Sequence, residues 1–355
     1  MMKVLIIGMG FSGKIFVESF NKISHEYENG IDIAYTCRTE KNINLVYYPT
    51  VKSALELFNP DVLVISVNDE NHGEILSLIK DYKGFVICEK PFVDSNFKLN
   101  TAEYLLKNAS GFCLNMVARY TKASRLLKKY VEDNNLKLVR ANFLWKKNRI
   151  NDYRPTTGVI SEIIHPLDLI QWINNSLLSL DEINGVKSDY SISGDEIPDS
   201  SFIVGKINGS LVTGYSSFVS LFRRRELDFV FQDSLGKLIF AQLSFDTPNW
   251  HEHSVKIWTE EKTHTDNILY FNSLDHEYIG DRRLEPIVNI IKDVTDFVIL
   301  GKNPDFDFPN LKDAIYLQKN LNEINNKKKS FYKVKYNNTE ERILLSENSG
   351  LDRLG

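Results

Sequence analysis

The sequence has few cysteines, no long apolar run and little net charge, and each shortage excludes a class of protein. Cys37, Cys88 and Cys113 are widely separated in the 355 residues and form no CxxC pair. This spacing predicts no metal site and fits reduced thiols in a cytoplasm. No stretch reaches the roughly 18 consecutive apolar residues of a membrane span. A net charge of -4 favours neither a nucleic acid nor an anionic membrane as a partner.

The opening "MMKVLIIGMG" is too short for the apolar core of a signal peptide, and it ends in glycines instead of a cleavage site. We therefore interpret it as folded structure and expect a cytoplasmic protein. One basic run, Arg223–Arg225, is followed directly by Glu226. Solvent exposure is the expectation for this run, although it would serve a nucleotide diphosphate if its strand faced a binding cleft.

The first 120 residues alternate short apolar runs of strand length with helical patterns. The runs are "KVLIIG" (3–8), "IDIAYTC" (31–37), "DVLVISV" (61–67), "GFVICEK" (84–90) and "GFCLNMV" (111–117). Continuous apolar strands separated by helices are typical of a parallel sheet that is covered on both faces. We predict an α/β Rossmann domain, with a parallel doubly wound sheet, over residues 1–120.

The pattern changes after about residue 120. A helical stretch at 121–133 and another at about 157–173 frame a region of alternating strands, such as "RELDFVFQD", joined by Asn, Gly, Asp and Ser turns. Alternation of polar and apolar residues indicates a sheet with one buried face and one solvent-exposed face. Helical patterns return at 285–300 and 310–326. We predict an α+β domain with a large open, mostly antiparallel sheet over 121–340, and a C-terminal tail over 341–355.

The first strand is followed by the pattern Gly8-x-Gly10-x-x-Gly13, which also opens a helix. Glycines in these places allow a tight turn, a close approach of the backbone to a pyrophosphate, and close packing of helix on sheet. The helix N-terminus then faces the phosphates. The turn, with Phe11 and Ser12 inside it, is therefore predicted to bind a dinucleotide.

The end of the second strand carries Cys37, Arg38 and Thr39, where a site selective for NAD needs a carboxylate. Without that acid, nothing there accepts a hydrogen bond from the ribose 2′-hydroxyl or repels a 2′-phosphate. Arg38 and Thr39 offer a planar cation and a hydroxyl that can hold the phosphate instead. We expect NADP to be preferred over NAD.

Several further motifs follow in a characteristic order. They are "PDVLVISVNDENH" (60–72), "CEKP" (88–91), "NMVARY" (115–120) and "YRPTTGVISEIIHPLD" (153–168). With the glycine turn, they make the chain resemble the Gfo/Idh/MocA family, the relatives of glucose–fructose oxidoreductase and inositol dehydrogenase, over roughly residues 3–325. The resemblance implies a coenzyme on the carboxyl edge of the Rossmann sheet and a second domain that binds substrate and mediates oligomerisation.

The resemblance also implies roles for residues of the first domain. Glu89 and Lys90, in the same motif, would bind the coenzyme. Lys90 would lie beside the nicotinamide and the reacting oxygen, where it also contacts the substrate. Ser66, Asn68 and His72 would line the ribose side of the nicotinamide. Arg119, Tyr153 and Arg154 match family positions near the interdomain cleft, where they would bind hydroxyls, a carboxylate or a phosphate.

The segment 161–168 places Glu162, His165 and Asp168 three residues apart, on one side of a helix. The resemblance implies that His165 is the catalytic histidine and contacts the substrate. The family has an Asp four residues before it, and this chain has Ser161. Glu162 is a candidate to replace that acid, although it points about 100° away around the helix. Pro166 must either kink the helix or lie in its first turn.

The resemblance implies an NAD(P)-dependent oxidoreductase in carbohydrate metabolism. It would transfer hydride between nicotinamide and a secondary alcohol or ketone of a sugar, sugar nucleotide or polyol, with Lys90 and His165 in proton transfer. Two alternatives stay open: an NADPH-dependent reductase of a C=N bond, and a catalytically silent dinucleotide-binding regulator, which Ser161 favours. The expected partner is a second copy of the chain, as a homodimer or homotetramer through the open sheet.

Overall fold

The computed structural model describes residues 1–150, 156–191, 194–247, 249–259, 267–272 and 283–336. These residues form two compact units. The first unit consists of Met1–Tyr120 and Leu284–Lys319, and the second of Thr121–Arg283 and Asn320–Gly355. No helix in the described ranges has both the length and the apolar character needed to cross a membrane.

The first unit contains a six-stranded parallel sheet. In chain order its elements are β1 (Met2–Ile7), α1 (Phe11–Ser24), β2 (Ile31–Thr36), β3 (Val46–Tyr48), α2 (Val51–Leu57), β4 (Val62–Ile65), α3 (His72–Leu78), β5 (Phe85–Cys88), α4 (Leu99–Leu105) and β6 (Gly111–Leu114). The strand order β3-β2-β1-β4-β5-β6 is that of a doubly wound Rossmann sheet. This confirms the predicted fold class. The three-residue edge strand β3 was not predicted, because so short a run gives no alternation signal.

The order of this sheet reverses between β1 and β4. β1 pairs with β2 on one side and with β4 on the other, so the chain winds away from this point in both directions. A crevice forms outside the carboxyl ends of strands at such a reversal, and it is where open α/β sheets bind ligands.

The helix α7 (Glu285–Leu300) lies in the first unit, although its sequence position is within the range assigned to the second domain. Ile290, Ile291 and Val294 are completely buried in the same apolar cluster as Phe16 and Phe20 of α1. Tyr27 donates a 2.6 Å hydrogen bond to Asp296 of α7. The helix α7 thus packs on residues that are far from it in the sequence. No local sequence pattern predicts this packing.

The second unit contains a nine-stranded mixed sheet. Its elements are α5 (Lys122–Asp133), β7 (Lys137–Asn148), α6 (Ile160–Ile173), β8 (Ser179–Ser188), β9 (Ile197–Ile207), β10 (Ser210–Ser217), β11 (Val219–Gln232), β12 (Leu238–Phe245), β13 (His253–Thr259), β14 (Asn267–Asn272) and β15 (Tyr332–Val334). The helix α8 (Leu311–Lys327) spans the boundary between the units. The strand order is β14-β13-β12-β11-β7-β10-β9-β8-β15, with two parallel pairs and otherwise antiparallel ones. The predicted open, mostly antiparallel sheet is confirmed.

One face of this large sheet is covered by α5 and α6. Alternate residues of β7, from Ala141 and Phe143 to Trp145 and Lys147, are buried on that face. The opposite face carries exposed apolar side chains, among them Phe202, whose ring stacks on Tyr215 at a centroid distance of 4.3 Å. The alternation read from the sequence therefore corresponds to one covered face and one open face.

Candidate active site

The turn between β1 and α1 contains two glycines that no other residue could replace without a clash. Gly8 has φ +102°, and a Cβ there would lie 2.8 Å from the backbone of Ser66. A Cβ on Gly13 would lie 2.1 Å from the oxygen of Gly8. Both glycines are therefore required by the packing of the protein itself.

Gly10 differs from its two neighbours in the motif. A Cβ at Gly10 would meet nothing within 4 Å, and its φ of -80° is ordinary for any residue. Neither backbone strain nor packing therefore explains this glycine. Gly10 is also the N-cap of α1, and neither a side-chain cap nor an acidic residue occupies the first turn. Backbone N–H groups of an uncapped helix start bind anions, so the turn fits a dinucleotide pyrophosphate.

Ser66 connects this turn to β4. Its hydroxyl donates to the oxygens of Gly8 at 2.8 Å and Ile7 at 3.2 Å, and its amide donates to Ile7 at 2.9 Å. These bonds hold the two strands together at the reversal point. Asn68, two residues on, is exposed at the start of a single 3₁₀ turn (Asp69–Asn71).

His72 is completely buried at the start of α3. Its Nδ1 lies 3.0 Å from the oxygen of Pro91 and 3.1 Å from that of Phe92, and its Nε2 lies 3.2 Å from the oxygen of Val67. The ring thus joins the loops that follow β4 and β5. Its role toward the ribose stays a prediction, and in the structure it positions the backbone next to Lys90.

Lys90 follows the carboxyl end of β5, where it is partly buried and precedes a cis peptide bond to Pro91. Glu89 supports this segment: its carboxylate accepts from the Lys90 amide at 3.2 Å and from the Asn115 side chain at 2.8 Å. Asn115 is buried after β6 and was not singled out in the sequence. Glu89 and Asn115 therefore fix the backbone from which the Lys90 side chain leaves the sheet edge.

The loop after β2 carries the groups predicted to select the coenzyme. Arg38 and Thr39 are both exposed. The Cys37 thiol donates to the oxygen of Thr39 at 2.9 Å, which shapes the loop. Lys41 contacts the Thr39 hydroxyl through its Nζ at 3.3 Å, and its amide donates to the Tyr35 hydroxyl at 2.8 Å. Lys41 is thus a second cation in the loop. It was not predicted, because it lies five residues beyond the end of β2 and not directly after the strand.

Arg119 lies in a single turn (Val117–Tyr120) of the first unit and is 4% exposed. Its Nη1 forms a 3.1 Å ion pair with Asp313. This pair gives Arg119 a structural role, and its contact with substrate stays a prediction. Tyr153 and Arg154 lie outside the described residues.

His165 lies on α6 in the second unit, 7% exposed, with its ring stacked on Trp145 at a centroid distance of 5.9 Å. Asp168, one turn later, is completely buried. Pro166 is the seventh residue of the helix. It therefore does not lie in the first turn, which was one of the two placements expected for it. Ser161 donates its hydroxyl to the oxygen of Gly158 at 2.9 Å, which closes the first turn of α6.

Glu162 is held by two cations of the sheet. Its carboxylate lies 3.1 Å from Nζ of Lys147 and 3.5 Å from Nη2 of Arg225, and all three side chains are largely buried. Arg225 also pairs with Asp246, whose other oxygen accepts from the His251 amide at 2.9 Å. Glu162 therefore belongs to a buried ionic network, and its proposed replacement of the family Asp stays a prediction.

The expected solvent exposure of Arg223–Arg225 is wrong for two of its three residues. Arg223 is 4% exposed, donates to the oxygen of Asp246 at 3.0 and 3.2 Å, and stacks on Trp250 at 3.8 Å. Arg225 is on the same helix-covered face, and only Arg224 points to solvent. A strand side chain alternates between the two faces, so a run of three cations cannot share one environment.

Two ionisable groups in this network have shifted pKa values. Burial raises the pKa of Asp246, but attraction to Arg225 and the hydrogen bond from the His251 amide act against it, and the net pKa is lowered. Burial lowers the pKa of His253 to about 4, and its Nδ1 accepts from the Asp246 amide at 3.4 Å. At neutral pH, His253 is therefore uncharged and the neighbouring Asp246 is ionised.

The fold matches those of known proteins at low sequence identity. An oxidoreductase domain protein from Kribbella flavida has a TM-score of 0.75 and 14% identity, and the match covers 93% of this chain and 97% of that one. The chain has the Gfo/Idh/MocA fold. Levoglucosan dehydrogenase in complex with NADH gives a TM-score of 0.72 at 14% identity, over 93% of this chain and 97% of that one.

The same fold occurs in the transcriptional regulator Gal80p from Kluyveromyces lactis. The TM-score is 0.70 at 14% identity, and the match covers 93% of this chain and 90% of that one. No protein-family model matches the sequence, and no curated protein matches it either. At these identities the likeness shows the fold alone, and function has to be argued from the residues.

Proposed function

We propose that this protein is an NAD(P)-dependent oxidoreductase that acts on a secondary alcohol or ketone of a sugar-like substrate. The observation that carries the proposal is Gly10, whose lack of a side chain serves no contact inside the protein. It lies at the uncapped start of α1, beside the reversal point of the sheet, where a dinucleotide would bind. A ligand that approaches the backbone closely would explain why position 10 is a glycine.

When bound, the nicotinamide supplies or accepts the hydride. The N–H groups of the α1 start would hold the pyrophosphate, and the loop after β5 would present Lys90 to the reacting oxygen. Lys90 can hold the hydroxyl proton as it leaves or returns. Glu89 and Asn115 keep the Lys90 backbone in place, and His72 joins its loop to the one after β4.

His165 is proposed as a second group for proton transfer. Its ring orientation is supported by Trp145, and Lys147 and Arg225 hold Glu162 one helical turn away. A histidine titrates near neutral pH, which suits it to exchange a proton with substrate in either direction of the reaction.

NADP is proposed as the preferred coenzyme. Arg38, Thr39 and Lys41 offer two cations and a hydroxyl in the exposed loop after β2. Glu40 is the single carboxylate among these neighbours, so the loop has a net positive charge. A 2′-phosphate gains charge-assisted hydrogen bonds from such a loop, and a 2′-hydroxyl gains less.

The sugar-like substrate is supported by the fold shared with levoglucosan dehydrogenase, whose name states an anhydrosugar substrate. The fold shared with Gal80p supports the alternative of a regulator without turnover. Ser161, in place of the family acid, favours that alternative, and it also leaves open the reduction of a C=N bond. Reduction of NAD(P)+ by candidate alcohols, and oxidation of NAD(P)H by candidate carbonyls and imines, separate the three.

The proposal is tested by Gly10→Val. A Cβ at this position meets no described protein atom within 4 Å, so the variant should fold and keep a melting temperature close to that of the wild type. It should lose NADPH and NADH binding in calorimetric titrations, because the side chain would fill the place of the pyrophosphate. Lys22→Ala, at the other end of α1, is the control and should bind normally. Unchanged coenzyme affinity in Gly10→Val would reject the proposed site.

A further inference from the structure

Two buried hydrogen-bond donors of the second unit have no acceptor in the part of the chain that the structure describes. They are the indole N–H of Trp145, a residue that is 5% exposed, and the Nε–H of Arg225. A buried donor without an acceptor loses the free energy of its hydrogen bond to water, about 1–3 kcal/mol. Such donors are rare in folded proteins, and each one points to an acceptor other than the described residues, such as a ligand or an ordered water.

The two donors belong to one place on the sheet. Trp145 of β7 and Arg225 of β11 are directly paired across the strands, and the Arg225 guanidinium lies 5.3 Å from the Trp145 ring centroid. Both side chains are on the face covered by α6. The two donors therefore belong to neighbouring side chains, since directly opposed side chains of a sheet are about 5 Å apart at their Cβ atoms.

The chemistry of the donors favours an anionic acceptor. One of them belongs to the Arg225 guanidinium, and Lys147 and Arg223 are further cations beside it among the described residues, where Glu162 and Asp246 also lie. Trp250 stacks on Arg223 and contacts Arg225. A hydrogen bond from a guanidinium to an oxyanion is stronger than one to a neutral hydroxyl, so an oxyanion suits this donor better.

We infer that the second unit binds an oxyanion of the substrate, a carboxylate or a phosphate, through Trp145 and Arg225. The inference rests on the proposed function and names its substrate class: an acidic sugar or a sugar phosphate. The oxyanion would accept from the Trp145 N–H and the Arg225 Nε–H. The Trp145 ring also stacks on His165, so the anion would set the position of the substrate relative to that histidine.

The test uses the full-length protein and three probes: malonate, inorganic phosphate and the neutral polyol myo-inositol. Binding is measured by calorimetry in wild type, in Trp145→Phe, which keeps the ring and removes the N–H, and in Arg225→Lys, which keeps the charge and removes the Nε–H. Arg224→Gln is the matched control, because this neighbouring cation is on the opposite face. NADPH binding is measured in the same samples.

We expect wild type to bind at least one anion and Trp145→Phe and Arg225→Lys to bind it about tenfold more weakly, with Arg224→Gln unchanged. Preference for malonate identifies a carboxylate, and preference for phosphate identifies a phosphate ester. Equal anion affinity in wild type and Trp145→Phe, or binding of myo-inositol alone, would overturn the inference. Failure of NADPH binding while anions bind as expected would instead reject the proposed oxidoreductase function.

Discussion

At the scale of single residues, the structure separates the glycines of the first turn that the fold needs from the one that it does not need. Gly8 and Gly13 are required by backbone contacts of 2.8 and 2.1 Å, and Gly10 is not. The structure also shows that Ser66, His72 and Glu89 form hydrogen bonds with the backbone or with neighbouring side chains. These three side chains therefore support the loops at the sheet edge, and the contacts predicted for them with the coenzyme stay predictions.

Lys90→Ala should lower turnover by roughly 10²–10⁴-fold with little change in coenzyme affinity, because the ammonium is proposed to exchange the hydroxyl proton. Steady-state rates and coenzyme titration, on a substrate found by screening, measure both quantities. His165→Asn should lose less activity and should change the pH dependence of the rate. Turnover of Lys90→Ala within a few-fold of wild type would remove Lys90 from the chemistry. An unchanged pH–rate profile would assign His165 to structure.

Arg38→Ala should remove most of a preference for NADPH over NADH. A charge-assisted hydrogen bond contributes about 1.5–3 kcal/mol, which is roughly one to two decades in affinity. Fluorescence titration of both reduced coenzymes checks this, and Lys52→Ala, an exposed lysine of α2, serves as control. If NADH binds as tightly as NADPH to the wild type, Arg38 does not contact a phosphate.

At the scale of elements, the end of the sheet formed by β7, β11, β12 and β13 carries a cluster of buried charges of the second unit. Arg225 of β11 is opposite both Trp145 of β7 and Phe245 of β12, and Phe245 is opposite His253 of β13. The helix α6 lies over this row and adds Glu162 and His165. The network therefore depends on register, and a slip of one residue would move every charge to the other face.

Stability should fall as the pH is lowered from about 6.5 toward 4, because of His253. Its pKa is lowered to about 4 in the folded protein, from 6.5 in the unfolded chain, so the unfolded state binds more protons in this window. The loss should reach on the order of 3 kcal/mol at the acid end. Urea unfolding across this range measures it. His253→Gln should flatten the dependence above pH 4.5, and an equally steep curve in that variant would assign it to other groups.

At the scale of the whole molecule, the open face of the nine-stranded sheet is the expected surface for a second copy of the chain. It carries two stacked aromatic pairs, Phe202 on Tyr215 and Phe240 on Trp258, and the exposed Leu211. Contiguous exposed apolar side chains of this kind mark interaction surfaces in soluble proteins.

Phe202→Glu should therefore shift a dimer or tetramer toward monomers, because the charge would have to be buried in the interface. Phe202 is half exposed in the single chain, so the fold itself should tolerate the change. Analytical ultracentrifugation reports the mass. Leu57→Glu, on α2 of the first unit, is the control, because Leu57 is 74% exposed. A monomeric wild type, or an oligomer that Phe202→Glu leaves intact, would show that this face is not the interface.

The sequence alone determined the parallel sheet, the glycine turn after its first strand and the open antiparallel sheet, because each depends on local periodicity or on glycines at fixed spacing. It also predicted the helix at 285–300, which the structure gives as Glu285–Leu300. Only the tertiary structure decided that this helix packs in the first unit, that Glu162 pairs with Lys147 and Arg225, and that Trp145 and Arg225 are directly opposite each other. These features arise from register and packing between residues far apart in the chain, and no short pattern encodes them.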